Sequence, residues 1–171
     1  MTRPPRTLAW ILLVVWFAWI HAAQNWMGQS DFFGLATPDL SLVLFVGLLG
    51  VVRKSDIFLL ALVAALARKS FSVDPGVAIL SGLLALAWLT LLLRNWIEVF
   101  NPYWRAFLAA AGAMGLAAWL ALVHLAREGG ALPQLDALLL LAFSSGLCAL
   151  ALGGWAIRLP GLTPLRRHGP W

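Results

Sequence analysis

Long apolar stretches recur along the whole chain, and polar residues are mostly confined to the short segments between them. One stretch runs from Leu40 to Val52 with nothing more polar than Ser41, and the basic pair Arg53 and Lys54 follows at once. Charged residues make up 11% of the sequence, whereas a soluble domain carries about a quarter. Because so few charges cannot cover a water-exposed surface, we expect an all-α integral membrane protein.

The spacing of the apolar stretches predicts six transmembrane helices in one bundle, which forms a single transmembrane domain over residues 1–171. The predicted spans are about 8–27, 38–54, 56–73, 76–94, 103–126 and 136–157. Three of the predicted starts place a capping side chain ahead of a first-turn proline, at Thr37-Pro38, Asp74-Pro75 and Asn101-Pro102.

The distribution of basic residues predicts the orientation of this bundle. With both termini in the cytoplasm, three of the twelve Lys and Arg residues lie in outer segments, which leaves nine in inner segments. The outer three are Arg68, Lys69 and Arg127, and the inner nine are Arg3, Arg6, Arg53, Lys54, Arg94, Arg105, Arg158, Arg166 and Arg167. Inner segments of membrane proteins carry an excess of Lys and Arg, so this orientation is favoured.

The third predicted span is short for a membrane crossing. Only eleven apolar residues, Ile57 to Ala67, precede Arg68 and Lys69. Either the helix continues past Arg68 with two bases in the outer leaflet, or residues 38–69 form a re-entrant hairpin. A re-entrant hairpin would bury the charges at its tip, at about 2.5–3.5 kcal/mol each. We therefore expect two full spans, with the third helix continuing past Arg68.

Four charged residues form a possible cluster at the predicted outer face: Asp39, Arg68, Lys69 and Asp74. Charges near the hydrocarbon are costly unless they reach the interface or meet a charge of opposite sign. We hypothesise that Arg68 pairs with Asp39 or Asp74. The alternative is that both bases reach lipid head-group phosphates.

The sequence offers no persuasive catalytic, cofactor-binding or metal site. His21 and His124 both fall near predicted outer helix ends, but no third metal ligand accompanies them. Ser144 and Ser145 lack a nucleophile motif and are expected to bond to backbone or across helices. The single cysteine, Cys148, excludes an intrachain disulfide. We therefore expect a protein that is not an enzyme and that uses no cofactor.

Small residues recur at helical spacing on the fifth predicted helix. The stripe consists of Ala109, Gly112, Ala113, Ala117 and Ala121. Small side chains at this spacing let two helix backbones approach closely, which is a main source of helix association in lipid. The stripe is expected either to pack within this chain or to receive a partner's helix.

The organisation of the chain resembles the MreD family of bacterial rod-shape-determining proteins. Those proteins are small, have six spans and a variable first span, and open the second span with Pro-Asp-Leu, matched here by Pro38, Asp39 and Leu40. A hairpin, a short outer loop and a span ending near an arginine follow, and Arg94 matches that arginine. The third span of the family is commonly glycine-rich with an acidic end, whereas this one is alanine-rich and ends in bases.

The resemblance implies a non-enzymatic scaffold of the cell-elongation machinery in the bacterial inner membrane, which acts in lateral peptidoglycan synthesis and cell shape. Its implied partners are membrane lipids, an MreC-like bitopic protein and a cell-wall polymerase and transpeptidase, with no nucleic acid. The fold of the family is similar to the substrate-binding subunits (S-components) of vitamin transporters. A substrate-binding subunit is therefore the alternative function, and the charge cluster alone could line its polar pocket.

Overall fold

The computed structural model describes residues 6–29, 37–93, 101–129, 133–156 and 158–165. These ranges are predominantly helical and contain no strand. The α-helices are α1 (Arg6–Gly28), α2 (Leu40–Leu49), α3 (Ile57–Lys69), α4 (Gly76–Leu93), α5 (Pro102–Glu128) and α6 (Leu135–Ala156). Short 3-10 helices cover Lys54–Asp56 and Thr163–Leu165. Arg3, Arg94, Arg166 and Arg167, which contributed to the predicted orientation, lie outside the described residues.

Four helices, α1, α4, α5 and α6, are long and apolar enough to cross a membrane. Their outward surfaces carry large apolar side chains, such as Trp19 on α1, Trp88 on α4 and Phe143 on α6, each about two-thirds exposed. Apolar side chains of this size over most of the outer surface suit a lipid environment and not water. The prediction of a helical membrane protein is thus confirmed at this level.

The α2 and α3 helices are shorter than the spans predicted for them. Their 10 and 13 residues extend about 15 and 20 Å, against a hydrocarbon core of about 30 Å. The predicted span of about 38–54 is longer than the helix, because α2 begins after Asp39 and ends at Leu49. A turn follows, in which the N–H groups of Val51 and Val52 both donate to the Leu48 carbonyl.

The prediction that the third helix continues past Arg68 to residue 73 is wrong. The α3 helix ends at Lys69, one residue after Arg68. Polar groups that follow satisfy its last carbonyls: the Ser70 hydroxyl donates to the Leu66 carbonyl at 3.1 Å. The Lys69 ammonium lies 3.4 Å from the carbonyls of Ser72 and Val73. Such bonds replace the next helical turn.

The α2 helix occupies the centre of the molecule. Every residue from Ser41 to Val52 is buried, and α2 contacts each of the other five helices. A helix that is apolar on all sides is stable only when it is surrounded by apolar material. Here the surrounding material is protein and not lipid.

The helices alternate in direction. Arg6, at the start of α1, bonds to Asp56, which lies in the turn between α2 and α3. Trp16, in the middle of α1, packs edge-on against Trp155 near the end of α6, with ring centroids 5.8 Å apart. We name the end of the bundle that carries residues 53–56 the tip end. The first described residues and the segment 158–165 both lie there, since Gly161 contacts Leu12.

Local signals set two helix starts. At α5 the prediction from Asn101 and Pro102 is confirmed, because the Asn101 side chain accepts a hydrogen bond from the Tyr103 N–H at 2.9 Å. At α2 the capping residue is Asp39 and not Thr37, and its carboxylate accepts from the Leu42 N–H at 3.0 Å. A side chain of this type satisfies an N–H that the first turn leaves unpaired.

Candidate functional site

A buried polar cluster surrounds the start of α2. Asp39 is 3% exposed, and besides capping α2 its carboxylate accepts a hydrogen bond from the Ser41 hydroxyl at 2.7 Å. Buried polar groups are tolerated only when they are bonded, and a buried charge requires a partner of opposite charge. Asp39 meets both conditions through the α3 and α6 helices.

The partner of Asp39 on α3 is Arg68, whose Nη1 lies 2.5 Å from the Asp39 Oδ2. The partner on α6 is Ser145, whose hydroxyl accepts from the Asp39 N–H at 2.9 Å. The sequence hypothesis paired Arg68 with Asp39 or Asp74, and the structure places it against Asp39. One residue therefore connects the beginning of α2, the end of α3 and the middle of α6.

The cluster lies inside the bundle. Ser145 is ten residues after Leu135 and eleven before Ala156, which corresponds to about 15 Å from each end of α6. The side chains of Asp39 and Arg68 are 5% and 19% exposed. Burying two charges at half the height of an apolar helix costs free energy. Once both are present, each strongly stabilises the other.

The α1 helix adds two further polar groups to this region. His21 is 5% exposed, stacks on Phe71 with ring centroids 5.7 Å apart, and lies within electrostatic range of Asp39 and Arg68. The His21 Nε2 and the Gln24 Oε1 are both buried without a hydrogen-bond partner. The sequence predicts only that His21 lies near an outer helix end, because a single histidine in an apolar helix does not reveal its neighbours.

A second polar group lies at the opposite end of the bundle from the tip. The Asp74 carboxylate lies 2.7 Å from the His124 Nε2 of α5 and accepts from the Ser72 hydroxyl at 2.5 Å. Burial raises the pKa of Asp74, but the bonds from Ser72 and His124 outweigh burial and hold this pKa below its usual value. Lys69 is exposed and contacts carbonyls, so the four predicted cluster residues separate into different groups.

The small-residue stripe of α5 packs within the chain over its first half. Ala109 and Ala113 are 0% and 2% exposed, and Gly112 is buried, whereas Ala117 and Ala121 are half-buried. A Cβ at Gly112 would lie 2.9 Å from Leu86 and 3.1 Å from Leu42. The close approach of α5 to α2 and α4 therefore depends on a residue without a side chain.

Two apolar grooves open on the outer surface of the described part of the chain. The first, of about 500 Å³, lies between α1, the end of α6 and the segment 158–165. Its walls include Trp16, Trp19 and Trp155. The second, of about 270 Å³, follows the seam between α5 and α6. Both grooves have almost entirely apolar walls, as expected for surfaces that face lipid or a partner's helix.

Within the described ranges, no group of three or more His, Cys, Asp or Glu residues is placed to hold a metal ion. Comparison of the chain with protein-family models, with curated proteins and with solved structures finds no match in any of the three.

Proposed function

We propose that this protein is a non-enzymatic membrane scaffold of the bacterial cell-elongation machinery. It sits in the inner membrane with both termini and the tip end in the cytoplasm. In this arrangement the six helices form one bundle similar to transporter S-components, in which α1, α4, α5 and α6 cross the membrane. The α2 and α3 helices form a hairpin that enters the membrane from the tip end and is enclosed by the other four. Its partners are an MreC-like bitopic protein and, through it, a cell-wall polymerase and transpeptidase.

The observation that carries this proposal is that the charged groups inside the bundle hold its helices together. Asp39 is engaged by Arg68 and Ser145, and these contacts hold three helices together. The outward surface is apolar and bears grooves along α1, α5 and α6. A bundle that is held rigid by internal charges and has an apolar outer surface is suited to binding other membrane helices.

Site-specific photo-crosslinking in native membranes tests the proposal. A photoreactive amino acid replaces one outward-facing residue on each long helix, and buried Leu60 of α3, which is 0% exposed, serves as the control. The outward positions are Val14, Leu89, Met114 and Phe143. We expect at least one of them to capture a bitopic membrane protein, with cell-wall enzymes in the same purified complex. Capture of lipid alone at all four positions would contradict the scaffold.

A transporter subunit is the second candidate, and one observation favours it. The unpartnered His21 Nε2 and Gln24 Oε1 lie on one face of α1, three residues apart, and His21 is close to the Asp39–Arg68 pair. Such atoms suit a small polar ligand. Extraction of small molecules from the purified protein separates the two functions. A vitamin retained by the native protein and lost in His21→Phe would favour the transporter, whereas the scaffold predicts none.

A further inference from the structure

Arg105, in the first turns of α5, is the one buried Lys or Arg of the described ranges. It is 8% exposed, and its Nε is buried without a hydrogen-bond partner. Less buried basic residues do have acidic partners: Arg6 meets Asp56, Arg68 meets Asp39, and His124 meets Asp74. No described acid pairs with Arg105.

Two features of its surroundings disfavour a positive charge on Arg105 when no anion lies beside it. The start of a helix carries partial positive charge from its unpaired N–H groups, so a cation there is disfavoured. The buried Nε of Arg105 has also lost its hydration without gaining an acceptor. The nearby end of α6 offers only the partial negative charge of its last carbonyls, and an anion would supply the full charge that the site lacks.

A glycine of α6, Gly153, lies beside the guanidinium of Arg105. A Cβ built on Gly153, near the end of α6, would lie 3.7 Å from both the Nε and the Cζ of Arg105. The planar group therefore lies close to the α6 backbone, at a distance where a Cβ at position 153 would be in ordinary van der Waals contact with it. The exposed 8% of the residue leaves it reachable from outside the bundle.

We propose that Arg105 forms a binding site for a phosphate anion between the start of α5 and the end of α6. A guanidinium offers a fork of N–H donors that matches two phosphate oxygens, and the start of α5 adds a favourable dipole. In the orientation proposed above, this end of the bundle lies at the cytoplasmic leaflet, which is rich in anionic lipid. The phosphate belongs either to a lipid head group or to free phosphate in the cytoplasm.

Binding to the purified full-length protein in neutral detergent tests the site. The probes are phosphatidylglycerol, phosphatidylcholine as the zwitterionic lipid, and inorganic phosphate. Native mass spectrometry counts the bound lipid, and thermal unfolding reports stabilisation. We expect phosphatidylglycerol or inorganic phosphate to bind and to raise the unfolding midpoint. A response to phosphatidylglycerol alone identifies the lipid as the source, and an equal response to inorganic phosphate identifies free phosphate.

Variants locate the site. Arg105→Gln should weaken binding about tenfold, since it removes a charge-assisted contact. Arg158→Gln removes an exposed arginine near the same end of the bundle and should leave binding unchanged. Arg105→Lys keeps the charge without the fork, and it provides a test if Arg105→Gln does not fold. The proposal is overturned if the native protein neither prefers phosphatidylglycerol over phosphatidylcholine nor responds to phosphate. Equal weakening in the Arg158 variant would also overturn it.

Discussion

At the scale of single residues, Asp39 makes the connection on which the hairpin of α2 and α3 depends. Its carboxylate caps α2 and binds Arg68, and its backbone N–H donates to Ser145. Removal of one partner of a buried ion pair leaves an uncompensated charge, which costs about 3–5 kcal/mol. The Pro-Asp-Leu motif that suggested a family resemblance therefore has a structural role that is visible in this chain.

Charge reversal tests this pair. Arg68→Asp places two carboxylates together and should sharply lower the yield of folded, membrane-inserted protein, measured by fluorescence-detected size exclusion. Adding Asp39→Arg should restore part of that yield, though not all, because the α2 cap is lost. Adding Asp74→Arg instead is the matched control and should restore less, since Asp74 binds His124 and interacts with Arg68 only at a distance. If the Asp39→Arg double variant is as damaged as its single changes combined, the pair does not stabilise the fold.

The partner of Arg68 is one of the two acids that the sequence offers for it. Because Arg68 follows only eleven apolar residues, its charge is costly without an acid nearby, and Asp39 is one of the two candidate acids. The sequence does not indicate that His21 or Ser145 needs a particular partner. A histidine or serine in an apolar helix bonds equally well to its own backbone or to another helix. Their place in the cluster depends on the packing of α1 and α6.

At the scale of helices, the four long ones lie close to where the apolar pattern puts them. The predicted 103–126, for example, became Pro102–Glu128, and Asn101 gave the start. The α2 and α3 helices could not be predicted as well, because an apolar run enclosed by protein has the same composition as one enclosed by lipid. Their ends depend on tertiary contacts and on side chains such as Ser70, which satisfies a carbonyl of the last turn.

The packing of α5 gives a prediction at this scale. Ala113 is 2% exposed, whereas Ala111 on the same helix is exposed. Ala113→Leu should destabilise the detergent-solubilised protein by about 1–3 kcal/mol, because added volume forces the helix backbones apart. Ala111→Leu adds the same volume on the outer face and should change stability little. Equal losses in the two variants, measured by thermal unfolding, would show that the stripe is not a packing surface.

At the scale of the whole molecule, the protein is a helical bundle built around the enclosed hairpin of α2 and α3. The turn at residues 53–56 reaches the tip end, where α1 begins and the segment 158–165 folds back. Exposed Arg53 and Lys54 lie in this turn, as expected for residues at a cytoplasmic surface. The charged Asp39–Arg68 pair lies at the other end of the hairpin, inside the bundle. The membrane orientation proposed for this bundle follows from the positive residues.

Labelling of single cysteines with a membrane-impermeant reagent tests this arrangement most directly. In a Cys148→Ser background, one cysteine replaces Ser55 in the hairpin turn, Thr163 in the final segment, or Gln29 after α1. All three positions are exposed in the structure, so only the membrane can shield them. The account predicts that Gln29→Cys reacts in intact bacterial cells, while Ser55→Cys and Thr163→Cys react only after permeabilisation. Strong labelling of Ser55→Cys in intact cells would contradict it.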